Sequence, residues 1–506
     1  MFTRSAADSS PGAVVNQSAV EPRDEAVSTR VQRAALPLYV GRIKVHPKRV
    51  SGPYRGVKWL LLAVCLGVYY LLPWLRWDRG ERLPDQAVMI DLDGRRAYFF
   101  FIEIWPQEVY YITGLLILAA FGLFLATALF GRLWCGYACP QTVWTDLFMA
   151  VERLIEGDRA ARIRLDKESP GAAKLAKRAA KHAAWLAIAA MTGGAWVMYF
   201  GDAPTMLAAL FKGEASVEAY VFVGLFTATT YLLAGWAREQ LCTYMCPWPR
   251  FQAAMQDEHS LTVSYRAWRG EPRGAHKAGT SWEGRGDCVD CKQCIAACPT
   301  GIDIRDGQQL ECIGCGLCID ACDEIMAKVG RPRGLVAFDT LAALAARAQG
   351  RKYRLPLVRA RTALYAGLVL ATMAAMGVAL ALRSEAELNV LRDRTPLFVT
   401  LSDGGVRNGY TLKVINKTQA DRTYRLELSG LPGARMSVVG GEDAPADRPV
   451  SVGARLDSVE SVRVFVTLPG ERLAGESASV RFALRDVRGR QVAAHDSVFL
   501  GPRPRP

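Results

Sequence analysis

CVDCKQCIAACP at 288–299 and CIGCGLCIDACD at 312–323 share one cysteine spacing, and their reading decides where the rest of the chain is placed. In each block three cysteines recur at every third position and a fourth follows after three more residues: Cys288, Cys291, Cys294 and Cys298, then Cys312, Cys315, Cys318 and Cys322. Thiolates on this spacing match the iron corners of a 4Fe-4S cube, and in two-cluster ferredoxins the fourth cysteine of each block serves the other cube. The spacing therefore assigns Cys288, Cys291, Cys294 and Cys322 to one cluster, and Cys312, Cys315, Cys318 and Cys298 to the second. Zinc knuckles and disulfides also use Cys-x-x-Cys, but neither calls for a full double octet. Asp323 stands where the first block has Pro299. Proline is no ligand, so this difference touches backbone shape and not coordination.

Outside this insert the chain reads as a membrane protein. Of its 506 residues, 51% are hydrophobic, and they gather into runs. Five runs, at 59–75, 109–130, 183–200, 219–237 and 362–382, contain no charged residue and have the length that crosses a hydrocarbon layer. Basic residues set the expected orientation. Arg42, Lys44, Lys48, Arg49, Arg55 and Lys58 precede the first run, and a longer basic set from Arg132 to Lys181 separates the second from the third. Those sides are expected to be cytoplasmic. The loop after the third run carries Lys212 among Asp202, Glu214 and Glu218, and is expected outside. Five spans then put the N-terminus and the cluster insert inside and everything after residue 382 outside. The formal net charge of +14 lies largely beside anionic headgroups and calls for no nucleic-acid partner.

Residues 1–38 are polar, mixed in charge and without the apolar run of a cleaved signal, so they read as a disordered tail. All 13 cysteines precede residue 323, which leaves the exported part without disulfides and the cluster thiols in a reducing compartment. Cys65, inside the first run, reads as a small apolar packing residue.

A second cysteine pattern is an internal repeat. Cys135-Gly-Tyr-Ala-Cys139-Pro140 begins five residues after the second run ends, and Cys242-Thr-Tyr-Met-Cys246-Pro247 five residues after the fourth. Both runs point the same way through the membrane, so both pairs are expected at one face. Residues i and i+4 of a helix share a side, so each pair is expected to offer two sulfurs to one point before proline ends the helix. Four soft sulfurs suit Cu(I), zinc or an Fe-S centre, with Met245 as an additional thioether; a redox dithiol and plain packing are the other readings of the same residues.

The remaining segments look plainer. Residues 41–58 read as a basic lipid-facing anchor, with His46 before Pro47 as a turn residue. The loop 82–107, with Tyr98 to Phe101 and Trp105, reads as an interfacial aromatic belt. Residues 248–286 read as a linker and 327–361 as a partly amphipathic return to the membrane. No glycine-rich nucleotide fingerprint and no C-x-x-C-H haem motif stands out. After residue 383 short alternating runs at 397–401, 410–416, 423–428, 434–439, 461–468, 478–484 and 491–500 are broken by Gly, Pro, Asp and Asn, the pattern of an immunoglobulin-like sandwich. The expected fold is thus multi-domain. It comprises an α-helical membrane bundle of five spans (39–247 and 362–382), a cytoplasmic two-cluster ferredoxin-like insert (287–326) and a C-terminal all-β sandwich (383–506).

This combination resembles the cytochrome c oxidase accessory family known as CcoG, FixG or RdxA. The likeness runs from about residue 39 to about residue 500 and takes in 43–59 with His46-Pro47, 86–107 with Trp105-Pro106-Gln107, and Leu391-Arg-Asp-Arg-Thr-Pro-Leu397. Membrane ferredoxin subunits of periplasmic nitrate reductase systems are similar in their Cys-Pro elements and clusters, but lack the sandwich. The family resemblance implies a multi-pass protein of the bacterial inner membrane, with clusters on the cytoplasmic side and the sandwich in the periplasm. It implies two 4Fe-4S clusters and reduction of Cu(II) to Cu(I) for assembly of the cbb-type oxidase; joined to the sulfur chemistry above, this makes copper the expected substrate or transient ligand at Cys135, Cys139, Cys242 and Cys246. The partners it implies, besides membrane lipid, are a cytoplasmic electron donor of unidentified nature and the oxidase maturation machinery with its copper chaperones. Two other readings stand beside it: an electron relay from that donor to quinone or a periplasmic partner, and a copper chaperone or scaffold whose clusters are structural. Transport is disfavoured, because the runs lack the ionisable groups an ion path uses.

Overall fold

The structure is a computed structural model that describes residues 44–502 apart from 81, 82, 278, 419, 440–442, 446, 447, 473 and 474. The expected tail at 1–38 lies outside the described residues. Among the described residues, five helices are long and apolar enough to cross a membrane: Pro53–Trp74, Pro106–Phe130, Ala172–Phe200, Val217–Ala237 and Ala360–Ala381. The first and third start well before their apolar runs, because partners accompany their charged residues. Arg55 donates to Asp146 at 2.8 Å, and Lys181 lies 2.9 Å from Glu156. Pro53 and Pro106 stand in first turns, where proline's missing N–H costs no helical hydrogen bond. The second span packs on the fifth and the third on the fourth. A Cβ on Gly193 would meet the Val223 carbonyl oxygen at 2.5 Å, so the third and fourth helices approach backbone to backbone there.

The cluster insert sits at one end of the bundle. Asp320, between Cys318 and Cys322, accepts hydrogen bonds from the backbone N–H groups of Tyr54 (3.3 Å) and Arg55 (2.8 Å), which have no partner inside their own helix. The helix Pro140–Glu156 lies along the third and fourth spans. Its Glu152 is fully buried, 2.6 Å from Arg162 and 3.1 Å from Arg238. Burial alone would raise this carboxyl, but the Arg238 and Arg162 cations outweigh it and bring it down to about 2.

The stretch read as a linker is built instead. It forms the helix Trp248–Met255 and the strand Thr262–Tyr265. That strand pairs antiparallel with Val336–Asp339 from the return segment, closing the insert at its base. Val263, Tyr265 and Val336 are buried in that closure, which is why the chain orders there. His46 is likewise buried, with Nε2 3.0 Å from a carboxylate oxygen of Asp166, a partner 120 residues away in sequence that a local turn reading does not anticipate.

At the opposite end, the loop read as an aromatic belt is a three-stranded meander, Val88–Asp91, Arg96–Phe99 and Ile102–Ile104. Tyr98 and Trp105 are buried in it, and only Phe101 keeps a largely exposed ring. The sandwich docks on this meander. Arg383 forks over Glu108 with two contacts of 2.8 Å, Lys417 reaches Glu108 at 2.7 Å, and Arg96 pairs with Asp457. One sheet has six strands, with Val406–Asn416 and Ser458–Leu468 at its centre. The other has four, in the order Val450–Ala454, Arg422–Ser429, Ser477–Arg485, Gln491–Leu500. Tyr410, Leu412, Leu426, Met436, Val464, Phe482 and Phe499 fill the space between them. Ala386–Arg392, Asp443–Pro445 and Val450–Ala454 are strands in addition to the seven expected.

Glu103 lies in the docking interface against Asp457, and burial together with that neighbouring carboxylate pushes its pKa well above the usual range. A raised carboxyl pKa means that the docked state keeps a proton the undocked state releases. Docking is therefore strongest below about pH 4.5, weakens as pH rises towards the raised value and is level beyond it. Hydrogen exchange of residues 88–104 should accelerate from about pH 4.5 to about pH 8 beyond the intrinsic chemical increase, and Glu103→Gln should flatten that excess. Identical profiles for the two proteins would refute the assignment.

Candidate metal centre

Within the insert, the helices Gln293–Ala297 and Leu317–Lys328 pack together and bring distant cysteines side by side. Cys322 lies beside Cys294 and Cys291, and Cys298 lies beside Cys312, Cys315 and Cys318. Cys294, Cys298, Cys312, Cys315 and Cys318 line one hollow. Cys288, Cys294 and Cys315 are buried, while Cys291 is exposed. Burial pushes Cys294 up to about 11 and Cys312 and Cys322 up to about 12. Left alone, such sulfurs stay protonated. Iron reverses this by binding the thiolate, and an all-sulfur set of two groups of four fits two cubes.

The two Cys-x-x-x-Cys-Pro elements come together, by a route other than a shared helix face. Cys135 belongs to the five-residue helix Leu133–Tyr137, whereas Cys139 has left it and, with extended backbone, caps the next helix, Pro140–Glu156. Cys242 lies in a π-helical turn, Leu241–Met245, and Cys246 has left that turn. The physical reason is the proline after each pair, which disfavours helical backbone in the residue before it. Met245 is 64% exposed and adds no sulfur to the group.

Cys135 nonetheless interacts with Cys139, Cys242 and Cys246, and Cys242 with Cys139 and Cys246. Burial, followed by repulsion from Cys139, raises Cys135 to about 12, and the same two causes raise Cys242 to about 11. Cys135 donates its thiol proton to Gln252 Oε1 at 3.1 Å. Among the described residues no three Cys, His, Asp or Glu side chains converge on a point that a single metal ion could occupy. The four sulfurs are therefore neighbours without being a preformed single-ion site.

Both elements also touch the cluster insert. Cys135 and Cys242 pack against Ile313, Cys315 and Leu317. Gly136 is where the backbones meet: a Cβ there would lie 2.9 Å from the Ile313 oxygen, 3.0 Å from that of Gly314 and 3.1 Å from Cys315 Cα. Tyr137 donates to the Cys315 carbonyl at 3.0 Å. Arg132 donates to the carbonyls of Leu310, Cys312 (3.0 Å) and Pro249 (2.9 Å), tying the two repeats and the insert with one guanidinium. Arg132, Gly136, Tyr137 and Gln252 were not singled out by motif reading. Gly136 and Tyr137 lie inside the quoted repeat, whereas nothing local marks Gln252. Cys65 remains a half-buried residue of the first span.

Three family models match the chain. A 4Fe-4S dicluster domain covers residues 237–341, a 4Fe-4S binding domain covers 112–156, and the immunoglobulin-like fold at the C-terminus of FixG covers 376–502. The nitrogen fixation protein FixG of Rhizobium meliloti is 51% identical over 481 residues, 89% of this chain and 91% of that protein. Protein RdxA of Cereibacter sphaeroides is 50% identical over 475 residues, 92% of this chain and 99% of that protein. A crystal structure of a FixG-related protein from Vibrio parahaemolyticus aligns with 23% of this chain and 95% of its own, at 26% identity and a TM-score of 0.19. With half its residues shared over most of its length, and with iron-sulfur domains set among five apolar helices, the chain belongs to the FixG/RdxA family of membrane 4Fe-4S electron-transfer proteins.

Proposed function

We propose that this protein reduces Cu(II) to Cu(I) for assembly of a cbb-type cytochrome c oxidase, and that Cys135, Cys139, Cys242 and Cys246 receive the copper. One observation carries the reading: Cys135 and Cys242, from two separate repeats, both rest on the loop that contains Cys315. The clusters, when bound, supply electrons one at a time, as the Cu(II)/Cu(I) couple requires. Copper held by these sulfurs lies against the electron source. Soft thiolates favour Cu(I) over Cu(II) and so add to the driving force. Copper here has the role of a substrate that is reduced and handed on. Gln252 orients the Cys135 thiol, and Arg132 holds both repeats against the insert.

In this reading the membrane is the bacterial inner membrane and the insert meets a cytoplasmic donor. The sandwich faces the periplasm, where copper chaperones of the oxidase maturation machinery take the product. A cavity beside Cys312, also lined by Arg132, Gln256, Leu310 and Phe338, favours a second reading, a relay in which a quinone takes the electrons. That reading requires oxidation of the reduced protein by a short-chain quinone at a rate indifferent to copper.

The test is anaerobic. The protein is reduced, freed of reductant and given Cu(II), while electron paramagnetic resonance follows the clusters and a Cu(I)-specific chelator reports product. Cu(I) should appear in step with cluster oxidation, and replacing the four cysteines by serine should abolish it with the cluster signals intact. Clusters that stay reduced while copper binds would leave a chaperone, and loss of the clusters in the serine variant would make those cysteines structural. Gly136→Val should retain full iron content yet slow Cu(I) formation by on the order of ten- to a hundred-fold, because its side chain forces the repeat away from the Cys315 loop. An unchanged rate would show that this contact is not the electron's route.

A further inference from the structure

At the foot of the first span, on the side of the bundle that carries the insert, a cavity is lined by Lys48, Arg49, Arg55 and Arg153, with no Asp or Glu in its wall. Arg55 is only 6% exposed. Its Nη1 bonds Asp146 and its guanidinium stacks on Trp59, 4.1 Å from the ring centroid. Its Nη2 is buried without an acceptor, and so is Nε of Arg153. The nearby carboxylates are occupied: Asp146 by Arg55, and Asp158 by the backbone N–H of Arg49 at 2.9 Å. Burial, with the neighbouring Arg55 and Arg162, pushes the Arg153 pKa down against the attraction of Asp146 and Asp158. Both atoms are closed to solvent, so an anion in the cavity offsets the positive charge of its wall through space and not by bonding them.

We propose that this cavity binds the phosphate of an anionic phospholipid headgroup. Phosphate is the chemistry that several convergent cations recognise. The surroundings select its lipid form. Trp59, 41% exposed, stands at the mouth as an interfacial aromatic, and Leu60 (64%) and Leu154 (86%) carry the apolar surface on towards the hydrocarbon. Leu317, next to Cys318, lines the same cavity, and the backbone N–H of Arg55 is held by Asp320 of the insert. A bound lipid therefore braces the junction between the first span and the cluster insert. This inference stands independently of the copper reading.

The full-length protein is placed in nanodiscs of phosphatidylcholine with or without phosphatidylglycerol, and native mass spectrometry counts the phosphatidylglycerol it retains. The wild type should hold a tightly retained molecule. Retention should weaken about five-fold in Arg153→Gln and about thirty-fold in Arg49→Gln/Arg153→Gln, at about one surface-charge contact per arginine. Equal retention by all three proteins would overturn the proposal, because diffuse attraction to the membrane would then account for the lipid. Inorganic phosphate is the second arm: if it raises the melting temperature in pure phosphatidylcholine discs as much as phosphatidylglycerol does, the site takes a soluble phosphate and the lipid assignment fails. Visible absorption of the clusters checks that the variants fold. Should they not fold, the wild type decides alone, and equal melting temperatures in the two disc compositions would overturn the site.

Discussion

The arrangement depends on one close approach, that of the Gly136 backbone to the Ile313–Cys315 backbone. Any side chain at residue 136 would hold the membrane repeat away from the loop that carries Cys312, Cys315 and Cys318. With hydrogen there, Tyr137 and Arg132 can bond the loop's carbonyls on either side of the contact, and Cys135 and Cys242 settle on its apolar residues. Backbone packed on backbone leaves little room for relative motion, because both partners lack flexible atoms at the interface.

Charge sets the position of the parts around that contact. The helix that Cys139 begins, Pro140–Glu156, places Asp146, Glu152 and Glu156 in its buried face. Together they tie the helix to several elements. Asp146 takes Arg55 of the first span, Glu152 takes Arg162 and the Arg238 that follows the fourth span, and Glu156 takes Lys181 of the third-span helix. Such buried pairs add little net stability, because desolvation offsets most of their attraction. Breaking a single partner is expensive, however, and that asymmetry penalises every other register of the helix. The sequence therefore spends buried charge on where Cys139 stands.

Much of this was readable from the chain. The double cysteine octet, the five apolar runs and the alternation in the last quarter each carry a period that local sequence displays. The repeat of Cys-x-x-x-Cys-Pro at a constant offset from two spans pointed to a shared face, and the two elements do meet. What escaped was non-local. Asp320 looks like one more charge on a cluster helix until Tyr54 and Arg55 appear beside it, and Gln252 is an unmarked polar residue until Cys135 reaches it. Tyr98 and Trp105 looked like lipid-facing aromatics because composition cannot distinguish an interfacial ring from one buried under a docked domain. The strands at 262–265 and 336–339 are too short, and too far apart, for either to announce its partner.

The repeat also shows how equal sequences acquire unequal roles. In both copies the first cysteine lies in a helical turn and the second has left it, each second cysteine being followed by proline. The first cysteines, Cys135 and Cys242, are the ones in contact with the Cys315 loop, while Cys139 and Cys246 stand where the chain departs for its next helix. The turns differ as well: an α-helical one in the first copy and a π-helical one in the second, after a fourth span whose last seven residues are themselves π-helical. A wider turn changes the angle between i and i+4, so two copies of one motif present their sulfurs in different directions. The π-helical turn that closes the second copy carries Cys242, one of the two cysteines seated on the Cys315 loop, so the irregular end of the fourth span belongs to the site.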